Sequence, residues 1–454
     1  MSRILLISSN TVVDPMPTYP LGMALVAAAL EKDGHRVEQI DPVAQKMDLM
    51  VLAETAVNKF NPDLIGISVR NIDTVDSCAS KDNRHLGYVK KLVEHIRTLT
   101  PKPVVLGGPA FSIMPEAILS YTGADFGVVG EGETLVRKLV QDMARGIAVE
   151  KIVWPEQKLM DAPDFLPPHY DERFVRSYHD ESGMLNYQTK RGCPYNCNYC
   201  TYPLIEGKKI RYQEPGFVAD NLLEMKLKFG VETLFFTDSV FNDPNEHYLE
   251  VALEMIRKKC GMKWAGYFRP EKISSEKLDI LKRSGLYAME LGSDAASDTT
   301  LKGLNKSFDF QTIIEMNENC NKAGIPCAHF FIFGGPGETR ETVEEGLGNI
   351  KGLENCAVFV FSGIRILPGT GIHKIAVEQG VVSGTDDLLE PRYYFSPGID
   401  KKSMDDMIIS SFKNRRDRFF PPEKGYMRMH ALKIFGLKGL LWDMAINFQK
   451  PLKK

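Results

Sequence analysis

Three cysteines within residues 191–200 carry the strongest chemical signal in the sequence. Cys193, Cys197 and Cys200 form a C-x3-C-x2-C pattern on a short loop that follows a predicted strand. Three thiolates on such a loop can bind three irons of a 4Fe–4S cluster and leave the fourth iron open for an exogenous ligand. The alternative is a zinc knuckle, which needs a fourth protein ligand, usually close by. Because no Cys or His lies between Cys200 and His247, the spacing favours the iron–sulfur cluster.

Composition excludes several classes of protein. The chain has 454 residues, a net charge of -3 and only 8 cysteines, which indicates a reducing cytosol rather than a disulfide framework. The near-neutral charge argues against a general nucleic-acid binder. No apolar run approaches the roughly 20 residues that cross a bilayer. The cysteines without cluster spacing are predicted to be core residues: Cys260, Cys320, Cys327 and Cys356.

Residues 1–150 alternate short β-branched runs with helical patterns, which predicts a parallel, doubly wound (Rossmann-like) sheet. Strands are expected at 4–8, 37–40, 64–68, 103–106 and 126–129, and helices at 21–33 and 86–99. Ligands of such sheets bind outside the C-terminal ends of the strands. The sequence places small and acidic residues at those ends: Ser8, Ser9, Ser68, Gly107, Gly108 and Glu131.

The rest of the chain is expected to contain a linker, a barrel and a tail. Residues 151–184 hold Pro155, Pro163, Pro167 and Pro168 and are predicted to be irregular. Six further strands are expected at 186–190, 233–237, 263–267, 287–291, 328–333 and 358–365. Their alternation with helices over 185–385 predicts a partial (β/α)6, TIM-like barrel with its active site at the strand C-termini. Residues 386–454 are predicted to be a small C-terminal helical region that covers the substrate.

The cysteine triplet, with Tyr199 just before the last cysteine, resembles that of the radical S-adenosylmethionine (SAM) enzymes. In that family the open iron binds SAM, and the reduced cluster cleaves it to a 5′-deoxyadenosyl radical. Residues 235–238, 290–294, 331–339 and 365–370 resemble the family's SAM-binding strand ends in order and spacing. The resemblance implies SAM contacts from Tyr199, Asp238, Glu290, Asp294, Gly334, Gly335 and Arg365. Two segments depart from the family pattern. The segment that ends in Asp238 does not contain the family's usual Gly-Gly-Glu, and Asp294 is at a position where many relatives have Glu.

The N-terminal domain resembles the cobalamin-binding domain that precedes the barrel in a large radical SAM subfamily. The segments that carry the resemblance are 19–22, 34–37, 62–68, 107–109 and 130–133. The resemblance implies cobalamin contacts from Ser9, Leu21, Gly22, Ser68, Arg70, Asn71, Gly107, Gly108, Pro109, Glu131, Gly132 and Glu133. The Asp-x-His-x-x-Gly motif of histidine-ligating domains is absent, so no protein histidine is expected below the cobalt. His35 is interpreted as structural.

Together these resemblances imply a cobalamin-dependent radical SAM enzyme, in the first place a methyltransferase. In this mechanism one SAM methylates cobalamin, and the radical from a second SAM abstracts hydrogen from an unactivated carbon, which then takes the methyl group. A radical cyclase or rearrangement enzyme with the same cofactors is the alternative, and a non-catalytic cobalamin-binding or sensing protein is a weaker one. A methylthiotransferase would need a second cysteine triad, but only Cys78 precedes Cys193.

The expected surroundings follow from the same interpretation. The expected partners are a small-molecule substrate, with an apolar or lipid-like molecule among the alternatives, and an electron donor such as flavodoxin or ferredoxin, in the cytoplasm. Residues 427–448 mix apolar side chains with Lys433 and Lys438, and Lys450, Lys453 and Lys454 follow. This segment is expected to be a helix that either packs over the barrel mouth or lies on a membrane surface.

Overall fold

The computed structural model describes residues 1–79, 85–155 and 165–447. They form two parallel α/β units followed by C-terminal helices. Of the residues singled out in the sequence, Pro163, Lys450, Lys453 and Lys454 lie outside the described part of the chain.

The N-terminal unit is a parallel sheet with helices on both faces, as predicted. Its strands are β1 Arg3–Ser8, β2 Arg36–Ile40, β3 Leu64–Ser68, β4 Val104–Gly107, β5 Phe126–Val128 and β6 Ile152–Val153, in the order β2-β1-β3-β4-β5-β6. Its helices are α1 Leu21–Lys32, α2 Pro42–Gln45, α3 Leu49–Phe60, α4 His85–Leu99, α5 Pro109–Ile113, α6 Pro115–Thr122 and α7 Gly132–Ala144. In β1, Ile4, Leu5 and Ile7 are fully buried, the pattern of a parallel strand covered on both faces.

The segment predicted to be an irregular linker contains regular structure at both ends. Strand β6 falls within it and adds a sixth strand to the N-terminal sheet. Helix α8 spans Glu172–Ser182. The Asp171 side chain accepts a hydrogen bond from the Arg173 backbone N–H at its start, and Gly183 ends it in a left-handed conformation. These are typical helix start and stop residues.

The second unit is a parallel sheet of seven strands in the order β17-β14-β13-β12-β11-β10-β7. Six match the predicted barrel strands: β7 Leu185–Tyr187, β10 Thr233–Phe236, β11 Lys263–Phe268, β12 Leu286–Asp294, β13 Cys327–Phe333 and β14 Cys356–Ser362. The seventh, β17 Arg418–Phe419, comes from the C-terminal region and was not predicted. Two short antiparallel pairs join β8 Lys190–Arg191 with β9 Arg211–Tyr212 and β15 Ile364–Arg365 with β16 Tyr393–Tyr394.

The helices of this unit lie between its strands and beyond them. They are α9 Tyr202–Ile205, α10 Pro215–Phe229, α11 His247–Arg257, α12 Ser275–Arg283, α13 Asp298–Gly303, α14 Phe310–Ala323, α15 Arg340–Gly352, α16 Gly371–Glu378, α17 Lys401–Ser411, α18 Glu423–Ile434 and α19 Trp442–Asn447. The cysteines predicted to be core residues are buried: Cys260, Cys320, Cys327 and Cys356.

The C-terminal tail forms two helices rather than the single helix expected over 427–448. Gly436 and Gly439, both with positive φ, separate α18 from α19, because glycine readily adopts the conformation that ends a helix. Trp442 packs into the barrel unit in one cluster with small residues of four successive strands: Ala265, Ala288, Ala328 and Ala357. Phe435 is 83% exposed between the helices. None of the helices in the described ranges is both long and apolar enough to cross a membrane.

Candidate active site

The cysteine loop is fixed by contacts with other parts of the barrel. Gly192 has a φ of +93°, and a Cβ at that position would lie 2.3 Å from the Lys209 carbonyl oxygen, so only glycine fits this turn. The Asn198 side-chain amide donates to the Gly303 carbonyl at 2.7 Å. The Ile372 backbone N–H donates to the Asn198 carbonyl at 2.8 Å. These bonds hold the loop against the segments that follow the barrel strands.

The three thiols are close enough to influence one another. Burial raises the pKa of the Cys193 thiol and raises that of Cys200 to about 12, and the Cys197 thiol adds to both shifts. Among the described residues, no three Cys, His, Asp or Glu side chains are arranged to hold a single metal ion. Sulfurs that bind three different irons do not converge on one point. Three thiols on one short loop fit the ligation of three irons of a 4Fe–4S cluster.

Lys306 joins three of the predicted site residues, and no motif in the sequence identifies it. Its ammonium nitrogen lies 3.1 Å from the Cys197 sulfur and 3.2 Å from the Tyr199 hydroxyl oxygen. It also forms an ion pair with Asp294, and its side chain is buried. A cation beside a thiolate stabilises the negative charge on sulfur. Lys306 thus brings Tyr199 and Asp294 next to the cysteine triplet.

A cavity of about 710 Å³ lies between the two units. On one side it is lined by the C-terminal ends of β1, β3 and β4, where Ser8, Ser68 and Gly107 are adjacent in register. On the other side it is lined by inward-facing residues of the second unit, including Phe235, Thr237, Tyr267 and Glu290. The ligand edge of the N-terminal sheet and the interior of the barrel therefore share one space.

The predicted cobalamin contacts line this cavity, with one exception. Those that do are Leu21, Gly22, Ser68, Arg70, Asn71, Gly107, Gly108, Pro109, Glu131, Gly132 and Glu133. The exception is Ser9, whose hydroxyl donates to the Ser68 carbonyl at 2.8 Å, while its neighbours Ser8 and Asn10 face the cavity. None of the described lining residues is a histidine. A wide crevice with small residues at the strand ends fits a bulky corrin.

Gly108 shapes the cavity floor in a way that another residue cannot. It has a φ of +97°, and a Cβ would lie 2.7 Å from the Val69 carbonyl oxygen. We expect Gly108→Ala to lower the free energy of unfolding by about 2–4 kcal/mol, from left-handed strain plus overlap. Gly348→Ala, in α15 with nothing within 4 Å of the added Cβ, should stabilise by up to about 1 kcal/mol. Urea titration of both variants measures the difference, and equal midpoints would contradict it.

Two predicted cobalamin contacts also belong to a buried ion cluster that joins the units. Arg191, two residues before Cys193, pairs with Glu133 at 2.5 Å and with Glu131 at 3.5 Å. Arg211 pairs with Glu131 at 2.6 Å. The side chains in these pairs are each less than a tenth exposed. The loop at the end of β5 is therefore tied directly to the strand that leads into the cysteine triplet.

Two predicted SAM contacts are occupied by bonds within the protein. The Asp238 carboxylate has no exposed surface and accepts from the Thr189 backbone N–H and hydroxyl, both at 2.6 Å. The Arg365 guanidinium donates to Asp73 at 2.7 Å and to two backbone carbonyls. Asp238 thus anchors the start of the cysteine loop, and Arg365 holds a loop of the N-terminal unit against the barrel. Direct SAM contact by either residue stays a prediction.

The predicted glycine turn lies next to the loop that carries Lys306. Gly334 has a φ of +90°, and a Cβ there would lie 2.9 Å from the Phe395 ring. Its backbone N–H donates to the Glu338 carboxylate at 3.1 Å. A Cβ at Gly335 would lie 3.3 Å from Leu304. Their contact with SAM also stays a prediction.

Glu290 is the one predicted SAM contact that lines the shared cavity. Its carboxylate accepts a hydrogen bond from the Trp442 indole N–H at 3.0 Å. Burial raises the pKa of the Glu290 carboxyl to about 7, and the indole hydrogen bond opposes that rise. Nothing in the local sequence indicates this contact with the tail.

Two family models match the two units. The model of the B12 binding domain matches residues 10–140, and that of the radical SAM superfamily matches residues 187–347. Together they cover more than half of the chain. The chain belongs to the B12-binding radical SAM enzyme family. The cofactors of this family member are a 4Fe–4S cluster, SAM and cobalamin.

Individual relatives are distant but cover most of the chain. Tryptophan 2-C-methyltransferase of Streptomyces laurentii is 24% identical over 83% of this chain and 74% of its own. An uncharacterized methyltransferase of Pyrococcus horikoshii is 26% identical over 80% of this chain and 79% of its own. The structure of the radical SAM methyltransferase TsrM from Kitasatospora setae, with cobalamin and a 4Fe–4S cluster bound, has a TM-score of 0.85 and 22% identity over 98% of both chains. The protein therefore shares the fold of TsrM over nearly its whole length.

Proposed function

We propose that the protein is a methyltransferase that moves a methyl group from SAM, by way of cobalamin, to a carbon atom of a small molecule. The shared cavity is the observation that carries this proposal, because the predicted cobalamin edge and the barrel interior line it together. Groups held in one cavity react without the entropic cost of a separate encounter. The methyltransferase names of the distant relatives support the same reaction class.

When bound, cobalamin supplies the methyl group, and SAM on the cluster supplies the radical. The chain's own residues bind and orient these groups. Cys193, Cys197 and Cys200 hold the cluster, and Lys306 stabilises the charge on the Cys197 sulfur. The aromatic side chains of Phe235 and Tyr267, on the barrel side of the cavity, help to exclude water. Flavodoxin or ferredoxin stays the predicted electron donor.

The test is a transfer assay with SAM that carries a deuterated methyl group. The anaerobic, cobalamin-loaded protein is reduced and incubated with a panel of small molecules, and the products are analysed by mass spectrometry. A methyltransferase gives a product that contains the deuterated methyl group. A cyclase or rearrangement enzyme gives a changed product without deuterium, and a sensing protein leaves SAM uncleaved. Either of these last results would overturn the proposal.

Arg70 and Asn71 are the residues that we expect to face the lower side of the corrin, and the charged one is Arg70. It follows β3, lines the cavity, and has no hydrogen bond or ion pair to another described residue. With cobalamin bound, the Arg70 cation would lie beside the corrin and would favour donation of the methyl group. Arg70→Ala should therefore shift the absorption bands of bound cobalamin. Arg97→Ala, in the same unit but paired with Asp125, should leave them in place. An unchanged absorption spectrum of cobalamin in Arg70→Ala would contradict a position of Arg70 next to the corrin.

A further inference from the structure

Glu290 occupies a position in the barrel that is otherwise built from small and apolar residues. It lies on β12, where it is in register with Tyr267 of β11 and Ala328 of β13. The cluster next to it contains Phe235 and a row of alanines, which the tail helix α19 covers. Glu290 is 8% exposed, and it is a lining residue of the shared cavity. A carboxyl group thus faces the cavity from a hydrophobic wall.

The carboxyl group of Glu290 is only partly satisfied by the protein. One oxygen, Oε1, accepts from the Trp442 indole N–H at 3.0 Å, and Trp442 is itself 2% exposed. Among the described residues, no Lys, Arg or His forms an ion pair with Glu290, and no hydrogen bond reaches its second oxygen. Trp442 therefore holds the carboxyl group in place and leaves the second oxygen available to a ligand.

Burying a carboxyl group without a partner for each oxygen costs free energy. The adjacent cluster consists of apolar residues, and their packing gives no reason for glutamate at this position. The raised pKa agrees with this picture, because it reports an environment that lacks a compensating cation. A ligand that donates a hydrogen bond would remove the deficit.

We propose that Glu290 anchors the substrate, and that the substrate carries an N–H or O–H hydrogen-bond donor rather than being a lipid-like hydrocarbon. This inference rests on the proposed function, because it assigns the barrel end of the cavity to the molecule that is methylated. It also gives the C-terminal tail a role, since Trp442 orients the residue that binds the substrate. In this proposal Glu290 binds the substrate and does not contact SAM.

The test uses three fluorinated probes of the same shape: 4-fluorobenzylamine, 4-fluorobenzyl alcohol and 4-fluorotoluene. Their binding to the holoprotein, with cobalt and the cluster in diamagnetic oxidised states, is followed by fluorine NMR. At a pH above the pKa of Glu290, where the carboxylate is charged, both donor probes should bind at least about tenfold more tightly than 4-fluorotoluene, the gain expected for a hydrogen bond to a charged acceptor. In Glu290→Leu the three affinities should agree within about twofold.

Two further measurements separate this role from others. Glu290→Gln keeps a carbonyl acceptor without charge, so it should retain the preference for the alcohol and lose that for the amine. SAM affinity, from equilibrium dialysis, should be the same in the wild type and in Glu290→Leu. The proposal is overturned if 4-fluorotoluene binds wild type as well as the donor probes do, if Glu290→Leu keeps the preference, or if that variant loses SAM. Failure of deuterium transfer, by contrast, would concern the proposed function alone.

Discussion

Replacing Cys197 with serine is expected to remove the iron–sulfur cluster and, with it, all reductive cleavage of SAM. Cys197 is one of the three cysteines that are predicted to bind the cluster, and a serine oxygen is a poor ligand for it. In addition, the substitution removes the sulfur that Lys306 contacts. Iron should fall from about four atoms per chain to well below that, measured with sulfide on anaerobically purified protein.

Cobalamin retention by the same variant distinguishes loss of a ligand from loss of the fold. The predicted cobalamin contacts lie in the N-terminal unit, so cobalt should stay at about one atom per chain. Cys78→Ser is the matched control, because Cys78 is a partly buried free cysteine outside the triplet, and its iron content should equal that of the wild type. Full iron and SAM cleavage in Cys197→Ser would contradict the cluster assignment.

Removing the charge of Arg191 should destabilise the protein strongly. In Arg191→Met the buried Glu133 loses its ion pair with Arg191, and Glu131 loses the Arg191 contact but retains its ion pair with Arg211. Breaking a buried ion pair by removing one partner costs about 3–5 kcal/mol, so the urea midpoint of the apoprotein should fall sharply. Cobalamin should also bind more weakly, because the loop 130–133 at the cavity loses its tie to the barrel.

The control for this prediction is an exposed ion pair. Arg257→Met breaks the contact with Glu254 on the surface of α11, and solvent-exposed pairs of this kind contribute little to stability. The double variant Arg191→Met/Glu133→Leu should recover part of the loss, because it removes the carboxylate left unpaired. If Arg191→Met and Arg257→Met have the same midpoint, the ion cluster does not hold the two units together.

Local patterns were sufficient to predict the two sheets, and they also indicate the cysteine site, whose ligand role stays a prediction. The strand ends at Ser68 and Gly107 could be predicted because parallel strands align their C-terminal ends at one edge. The triplet could be predicted because its ligands lie within one loop. In both cases the information is contained in a few adjacent residues, and tertiary packing does not alter it.

Contacts between distant segments could not be predicted. Arg365 is at a strand end, but its partner Asp73 is 292 residues away, and no spacing rule identifies such a pair. Lys306 contacts Cys197 across 109 residues. The break between the two tail helices, in contrast, has a local signal, because Gly436 and Gly439 are recognisable helix terminators. The apolar spacing across the segment nevertheless favoured a single helix.

The central claim is that the methyl group of SAM passes to cobalamin, and it can be tested without knowing the substrate. The anaerobic holoprotein is reduced and incubated with SAM that carries a deuterated methyl group, and the cobalamin is then extracted for mass spectrometry. We expect the deuterated methyl group on the extracted cobalamin, and none when unlabelled SAM is used. Cobalamin that stays unlabelled while SAM is cleaved to 5′-deoxyadenosine would contradict the claim and indicate a radical rearrangement instead.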